Sequence, residues 1–102
     1  MDTLIRIKRL IIAGKIIFTE KAEDEMNRDD LTPELISEAI LNAPAITKIL
    51  RSRNSQSRHR ETLYVIKGLT FDGLLIYTKG KILIHQQQEV FYVLISSKRS
   101  TD

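Results

Sequence analysis

Apolar positions along the chain fall into two regimes. Up to residue 43 they recur at helical spacing, and after Pro44 they alternate or run together as strands do. Leu4, Ile5, Ile7, Ile11 and Ile12 lie near helical spacing, with Arg6, Lys8 and Arg9 mostly opposite. Asp2 supplies a cap for this first helix and Gly14 a stop. Ile16-Ile17-Phe18 is a short β-prone run. Thr19 caps a second helix over Glu20 to Asn27, whose early acids suit the positive helix end. Ala22 and Met26 share its buried face, and Asn27-Arg28-Asp29-Asp30 reads as a turn. Thr32-Pro33-Glu34 opens a third helix with a cap, a proline at the first position and an acid. Leu35, Ile36, Ala39 and Ile40 form its stripe, and Asn42 with Pro44 ends it.

The second half reads as four strands. Ile46 to Arg51 is the first, followed by a loop or hairpin tip rich in Ser, Arg, Asn and Gln. Glu61 to Lys67 is β-branched and aromatic, and Asp72-Gly73 is a turn signal after it. Leu74 to Thr78 is the third strand, with Gly80 expected to bulge or bend it before Ile82 to Ile84. Gln86-Gln87-Gln88 is a polar connector, and Val90 to Ser97 is the fourth strand. Three helices followed by four strands predict an α+β fold, with N-terminal helices packed on one face of a four-stranded, mostly antiparallel sheet. Strict alternation groups Tyr92, Leu94, Ser96 and Lys98 on one face of the last strand.

Length changes the picture little: 102 residues make one domain, 1–102. Hydrophobic residues at 42% and charged residues at 28% are ordinary globular usage. There is no cysteine, which excludes disulfides, thiolate zinc sites and cysteine nucleophiles. No apolar stretch approaches the roughly 20 residues of a membrane span. Met1 to Lys15 is amphipathic without a small-residue cleavage site, so no signal peptide and no membrane partner are expected, and the expected location is cytoplasmic.

Charge is unevenly spread. Residues 1–43 carry 6 basic and 9 acidic residues, net −3, whereas 44–102 carry 10 and 4, net +6. Lys48, Arg51, Arg53, Arg58 and Arg60 occur within residues 44–60 without one acid among them, a block that attracts polyanions in a salt-sensitive way. Tyr77 and Lys79, two apart, leave the same face of the third strand, and Lys81 joins them if Gly80 does not break the register. Tyr, Lys, Arg and Glu on an open sheet face suit phosphodiester cleavage without a metal. A base takes the 2′-hydroxyl proton, cations stabilise the phosphorane and an acid protonates the leaving 5′-oxygen. The plainer account of the same residues is that long polar side chains solvate the open face. His59 and His85 read as exposed loop or strand-end residues, and without Cys or paired His no transition-metal site or cofactor is expected.

Certain motifs resemble a known family. Arg6-x-Lys8-Arg9-Leu10-Ile11-x-Ala13-Gly14-Lys15 resembles the first helix of the MqsR family of toxin ribonucleases, and Tyr92-Val93-Leu94-Ile95-Ser96-Ser97-Lys98 resembles its last strand. Ser97 stands where the family carries an aromatic residue. Phe18-Thr19-x-x-Ala22 is similar to the second-helix opening of related small domains, and both groups resemble the wider RelE-like superfamily of messenger-RNA interferases. The resemblance implies catalytic roles for Lys48, Glu61, Tyr77 and Lys98, with Glu61 standing where the family has Gln. Arg51, Arg53, Arg58, Arg60, Lys79 and Arg99 complete the expected RNA-binding set. It also implies RNA and a cognate antitoxin as partners, and leaves a homodimer open. Two other readings stand beside it: a non-catalytic nucleic-acid-binding module, and a protein-interaction domain using the sheet face or an edge strand.

Overall fold

The computed structural model describes residues 2–53 and 60–101. Three helices open the chain, and each cap expected from the sequence is in place. Asp2 accepts from Leu4 N before α1 (Thr3–Ile12), Thr19 from Ala22 N before α2 (Glu20–Arg28), and Thr32 from Leu35 N before α3 (Pro33–Asn42). Among the described residues no helix is long and apolar enough to cross a membrane.

Among the described residues the sheet has five strands where four were expected: β1 (Ile16–Phe18), β2 (Lys48–Arg53), β3 (Arg60–Leu69), β4 (Leu75–His85) and β5 (Gln88–Arg99), ordered β1-β5-β4-β3-β2. The short run Ile16–Phe18 supplies the additional strand. It pairs parallel to β5, with Ile16 beside Tyr92 and Phe18 beside Leu94, while every other pairing is antiparallel. Three residues of β-branched and aromatic character are enough because β5 supplies their ladder and Ile16 and Phe18 pack against the core.

The irregularity expected at Gly80 is present as a register shift between Lys79 and Gly80. β4 runs through it, because the missing side chain leaves room for Tyr92: a Cβ at Gly80 would lie 2.6 Å from the Tyr92 ring. Gly68 serves the helix layer in the same way, since a Cβ there would lie 1.8 Å from the Ala39 carbonyl oxygen of α3. These two glycines set how closely ring and helix approach the sheet. The core between helices and sheet gathers Ile7, Leu10, Ala22, Met26, Ile36, Ile40, Ile66, Ile76, Tyr92 and Leu94.

β5 departs from strict alternation. Gly80 faces Leu94 while Lys79 faces Ser96, so Ile95 is an extra residue, and a second shift lies between Leu83 and Ile84. Each bulge exchanges the faces of everything beyond it. The grouping of Tyr92, Leu94, Ser96 and Lys98 on one face is therefore corrected. Tyr92 and Leu94 enter the core, whereas Ser96 and Lys98 stand opposite Lys79 and Tyr77, on the other side of the sheet.

Candidate nucleic-acid interface

The sheet face away from the core cluster is organised in cross-strand rows. Lys67 of β3 lies opposite Tyr77 of β4, and Tyr77 lies opposite Lys98 of β5. Directly opposed side chains on neighbouring strands have Cβ atoms roughly 5 Å apart, so the phenol stands between two ammonium groups. The Lys98 Nζ lies 5.4 Å from the centre of the Tyr77 ring, within the range of a cation–π contact. One step along, Lys48, Val65, Lys79 and Ser96 form the next row. Val65 is buried although it is outside the core cluster, as expected where the stems of neighbouring lysines cover an apolar residue and keep their charges in water.

Three of the four residues expected at a catalytic centre thus share one end of this face: Tyr77 and Lys98 in contact, and Lys48 on edge strand β2 in the adjoining row. Glu61 does not join them. It keeps the alternation of Val65 and Lys67 but lies six residues up β3 from Lys67, roughly 20 Å at ordinary strand rise. Its carboxylate accepts from Lys81 Nζ at 2.9 Å. Lys79 belongs to the face as expected. Arg51 does not: it pairs with Thr62, one residue out of step with Lys48, and a period of two carries it to the helix side with Ile49. Arg99 pairs with Ile76 and reaches the same end of the sheet from its edge, where its Nε donates to the Asp29 carbonyl at 3.2 Å. Arg53 and Arg60 pair with each other at the far end of the β2–β3 ladder, while Arg58 and His59 lie outside the described residues.

A cavity of ≈ 460 Å³ opens at the Tyr77 row, lined by Lys67, Tyr77, Lys98 and Arg99 from the sheet and by Glu25, Arg28 and Asp29 from α2. Lys67, Glu25 and Asp29 were not singled out from the sequence as site residues. Lys67 was accessible to counting: equal steps back from the Asp72-Gly73 turn bring it opposite Tyr77 to within a residue. The α2 carboxylates carried no such signal, because their partners on β5, the Ser97 and Arg99 amides and the Ser96 hydroxyl, lie some 70 residues away in sequence.

Those carboxylates finish the edge of β5. β1 covers that edge only as far as Leu94, and Thr19 N then donates to the Leu94 carbonyl at 3.0 Å. Beyond it, Ser97 N donates to Glu25 Oε1 at 3.1 Å and Arg99 N to Asp29 Oδ2 at 2.8 Å. Two strand residues advance about 6.7 Å and four helical residues 6.0 Å, so carboxylates at i and i+4 of α2 match successive outward amides of β5. The helix replaces the missing neighbour strand and closes an edge that would otherwise be free to pair.

A second opening lies where β3 and β4 part beyond Tyr64 and Gly80, and Arg6, Glu61, Tyr64, Lys81 and Glu89 line it. Arg6 forks onto the Glu89 carboxylate there, which raises the Arg6 pKa through that hydrogen bond. These charges are paired with one another, unlike the lysines around Tyr77, of which, among the described residues, only Lys98 has a carboxylate near it, Glu25 Oε2 at 4.0 Å. No protein-family model, curated protein or solved structure matches the chain.

Proposed function

We propose that the open sheet face binds single-stranded RNA through its phosphates, and that its Tyr77 end is the cleavage centre of a metal-independent endoribonuclease of the toxin type, normally held in check by a cognate antitoxin. The row Lys67–Tyr77–Lys98, backed by Lys79 and Lys48, is the observation that carries this reading. Cations placed at fixed positions around one hydroxyl-bearing ring are suited to a phosphodiester whose charge grows as the substrate's 2′-hydroxyl attacks. As the O2′–P bond forms and the P–O5′ bond breaks, Lys67 and Lys98 take up that charge, solvent water takes the 2′-hydroxyl proton, and Tyr77 orients the RNA, donates its proton to the leaving 5′-oxygen and regains one from water. Glu61, at its distance, has no part in this step, and catalysis then rests on charge stabilisation more than on a carboxylate base.

A second reading, binding without scission, draws support from a specific observation. The two carboxylates that line the cavity at this row among the described residues, Glu25 and Asp29, already accept hydrogen bonds from β5. One experiment separates the two. A 5′-labelled oligoribonucleotide incubated with the protein and a chelator yields fragments ending in 2′,3′-cyclic phosphate, and Lys98→Ala or Tyr77→Phe slows their appearance by about 10²-fold. Full activity in Lys98→Ala removes this row from the reaction, and retention of uncut RNA by the wild-type chain establishes the binding module.

A further inference from the structure

The lysine that completes the Tyr77 row is on the open face only because β5 is bulged, and the bulge has a visible anchor. Glu25 is buried, its side chain 10% exposed, and its Oε1 accepts from both residues that follow the extra Ile95: Ser96 Oγ at 2.8 Å and Ser97 N at 3.1 Å. Its other oxygen lies 4.0 Å from Lys98 Nζ. In a regular β5 continuing the alternation of Tyr92 and Leu94, Ser96 and Lys98 would turn toward the helices, and the ammonium group would leave Tyr77. A bulge leaves one residue out of the ladder and so needs partners from outside it. Here one carboxylate provides two acceptor contacts at the point where the register changes.

We infer that Glu25 is a positioning residue for the phosphate-binding face: by accepting from Ser96 and Ser97 it holds the β5 bulge that turns Lys98 onto Tyr77. This rests on the reading of that face given above for its functional consequence, but not for its structural one. Glu25 touches no substrate in this account. It acts through the strand, by hydrogen-bond acceptance, so a glutamine in its place, which keeps the acceptor oxygen and gives up the charge, preserves the arrangement.

The test compares Glu25→Ala, Glu25→Gln, Lys98→Ala and the Glu25→Ala/Lys98→Ala double variant in the full chain, by two readouts. The first is the NMR contact between the Tyr77 ring protons and the Lys98 side chain. It is present in the wild type, retained in Glu25→Gln and lost in Glu25→Ala. The second is affinity for a 12-nucleotide oligouridylate at low salt. Lys98→Ala and Glu25→Ala each weaken it by about fivefold to tenfold, Glu25→Gln stays within about twofold of wild type, and the double variant is no weaker than Lys98→Ala alone, because both changes remove the same interaction. A Tyr77–Lys98 contact that survives in Glu25→Ala overturns the inference, as do additive losses in the double variant. Should Glu25→Ala fail to fold, a folded Glu25→Gln lacking the contact overturns it and one retaining the contact upholds it. Absence of any oligouridylate affinity in the wild type ends the phosphate reading alone, since the NMR contact still decides whether Glu25 sets the register.

Discussion

Single residues decide how tightly the layers of this molecule meet. Gly68 is where α3 rests on the sheet, and a methyl group there meets backbone, which cannot rotate away as a side chain can. Gly68→Ala therefore lowers stability by about 3 kcal/mol in urea titration, at the upper end of ordinary overpacking. Tyr92 is fully buried and its hydroxyl has no hydrogen-bond partner among the described residues, so its ring contributes to the core while its oxygen is desolvated at a cost. Tyr92→Phe leaves stability unchanged or raises it by about 1 kcal/mol. Burial, reinforced by Tyr64, pushes the Tyr92 phenol far above its ordinary value near 10. Below that pH folded and unfolded chains both hold the proton. Above it the unfolded chain releases the proton first, and stability falls as pH rises toward the folded value. Urea titrations at pH 9 and pH 11 then show a smaller loss for Tyr92→Phe than for wild type, and an equal loss would contradict the burial of this hydroxyl. Nothing in the spacing of apolar residues announced either close approach. Gly80 read as a bulge or bend, which the register shift beside it matches, but only the partner across the layer shows that the glycine also makes room.

At the level of elements the helices were legible and the strand pairings were not. Each helix carries its own start signal in Asp2, Thr19 or Thr32-Pro33, and local chemistry is enough to place it. Strands depend on partners distant in sequence. Ile16–Phe18 was legible as β-prone but not as the parallel neighbour of β5, and the bulge at Ile95 inverts an alternation that looks continuous on paper. Gln86-Gln87-Gln88 read as a connector; Gln86 and Gln87 are the tight turn between β4 and β5, with φ of 51° and 66°, and Gln88 already belongs to β5, paired with His85. Both central residues thus sit in the left-handed region of a type I′ turn, where Asn-Gly is the favoured pair. Gln86→Asn with Gln87→Gly relieves that cost and raises stability by about 1 kcal/mol, read as a higher urea midpoint at unchanged slope. A lower midpoint would mean that the glutamine side chains make contacts that outweigh the backbone strain.

Over the whole molecule, charge and layering coincide. The helical half of the sequence is net acidic and the sheet half net basic, and the sheet's open face collects Lys48, Lys67, Lys79 and Lys98 around Tyr77 and Val65. Most of the candidate site was legible in the sequence: Tyr77 and Lys79 by alternation along one strand, and Lys48 and Lys98 through a resemblance. Lys67 followed from hairpin register, and the exclusion of Glu61 and Arg51 followed from distance and face, which residue type does not encode. This patch, proposed as a phosphate-binding surface, is checked most directly by its electrostatic signature. Affinity for oligouridylate measured from 50 to 300 mM salt gives a wild-type log–log slope of about −2 to −3, as expected for three or four phosphate contacts on a single strand. Replacing Lys67, Lys79 and Lys98 together by alanine flattens that slope by about 2. A triple variant that binds RNA with the wild-type slope would contradict the claim.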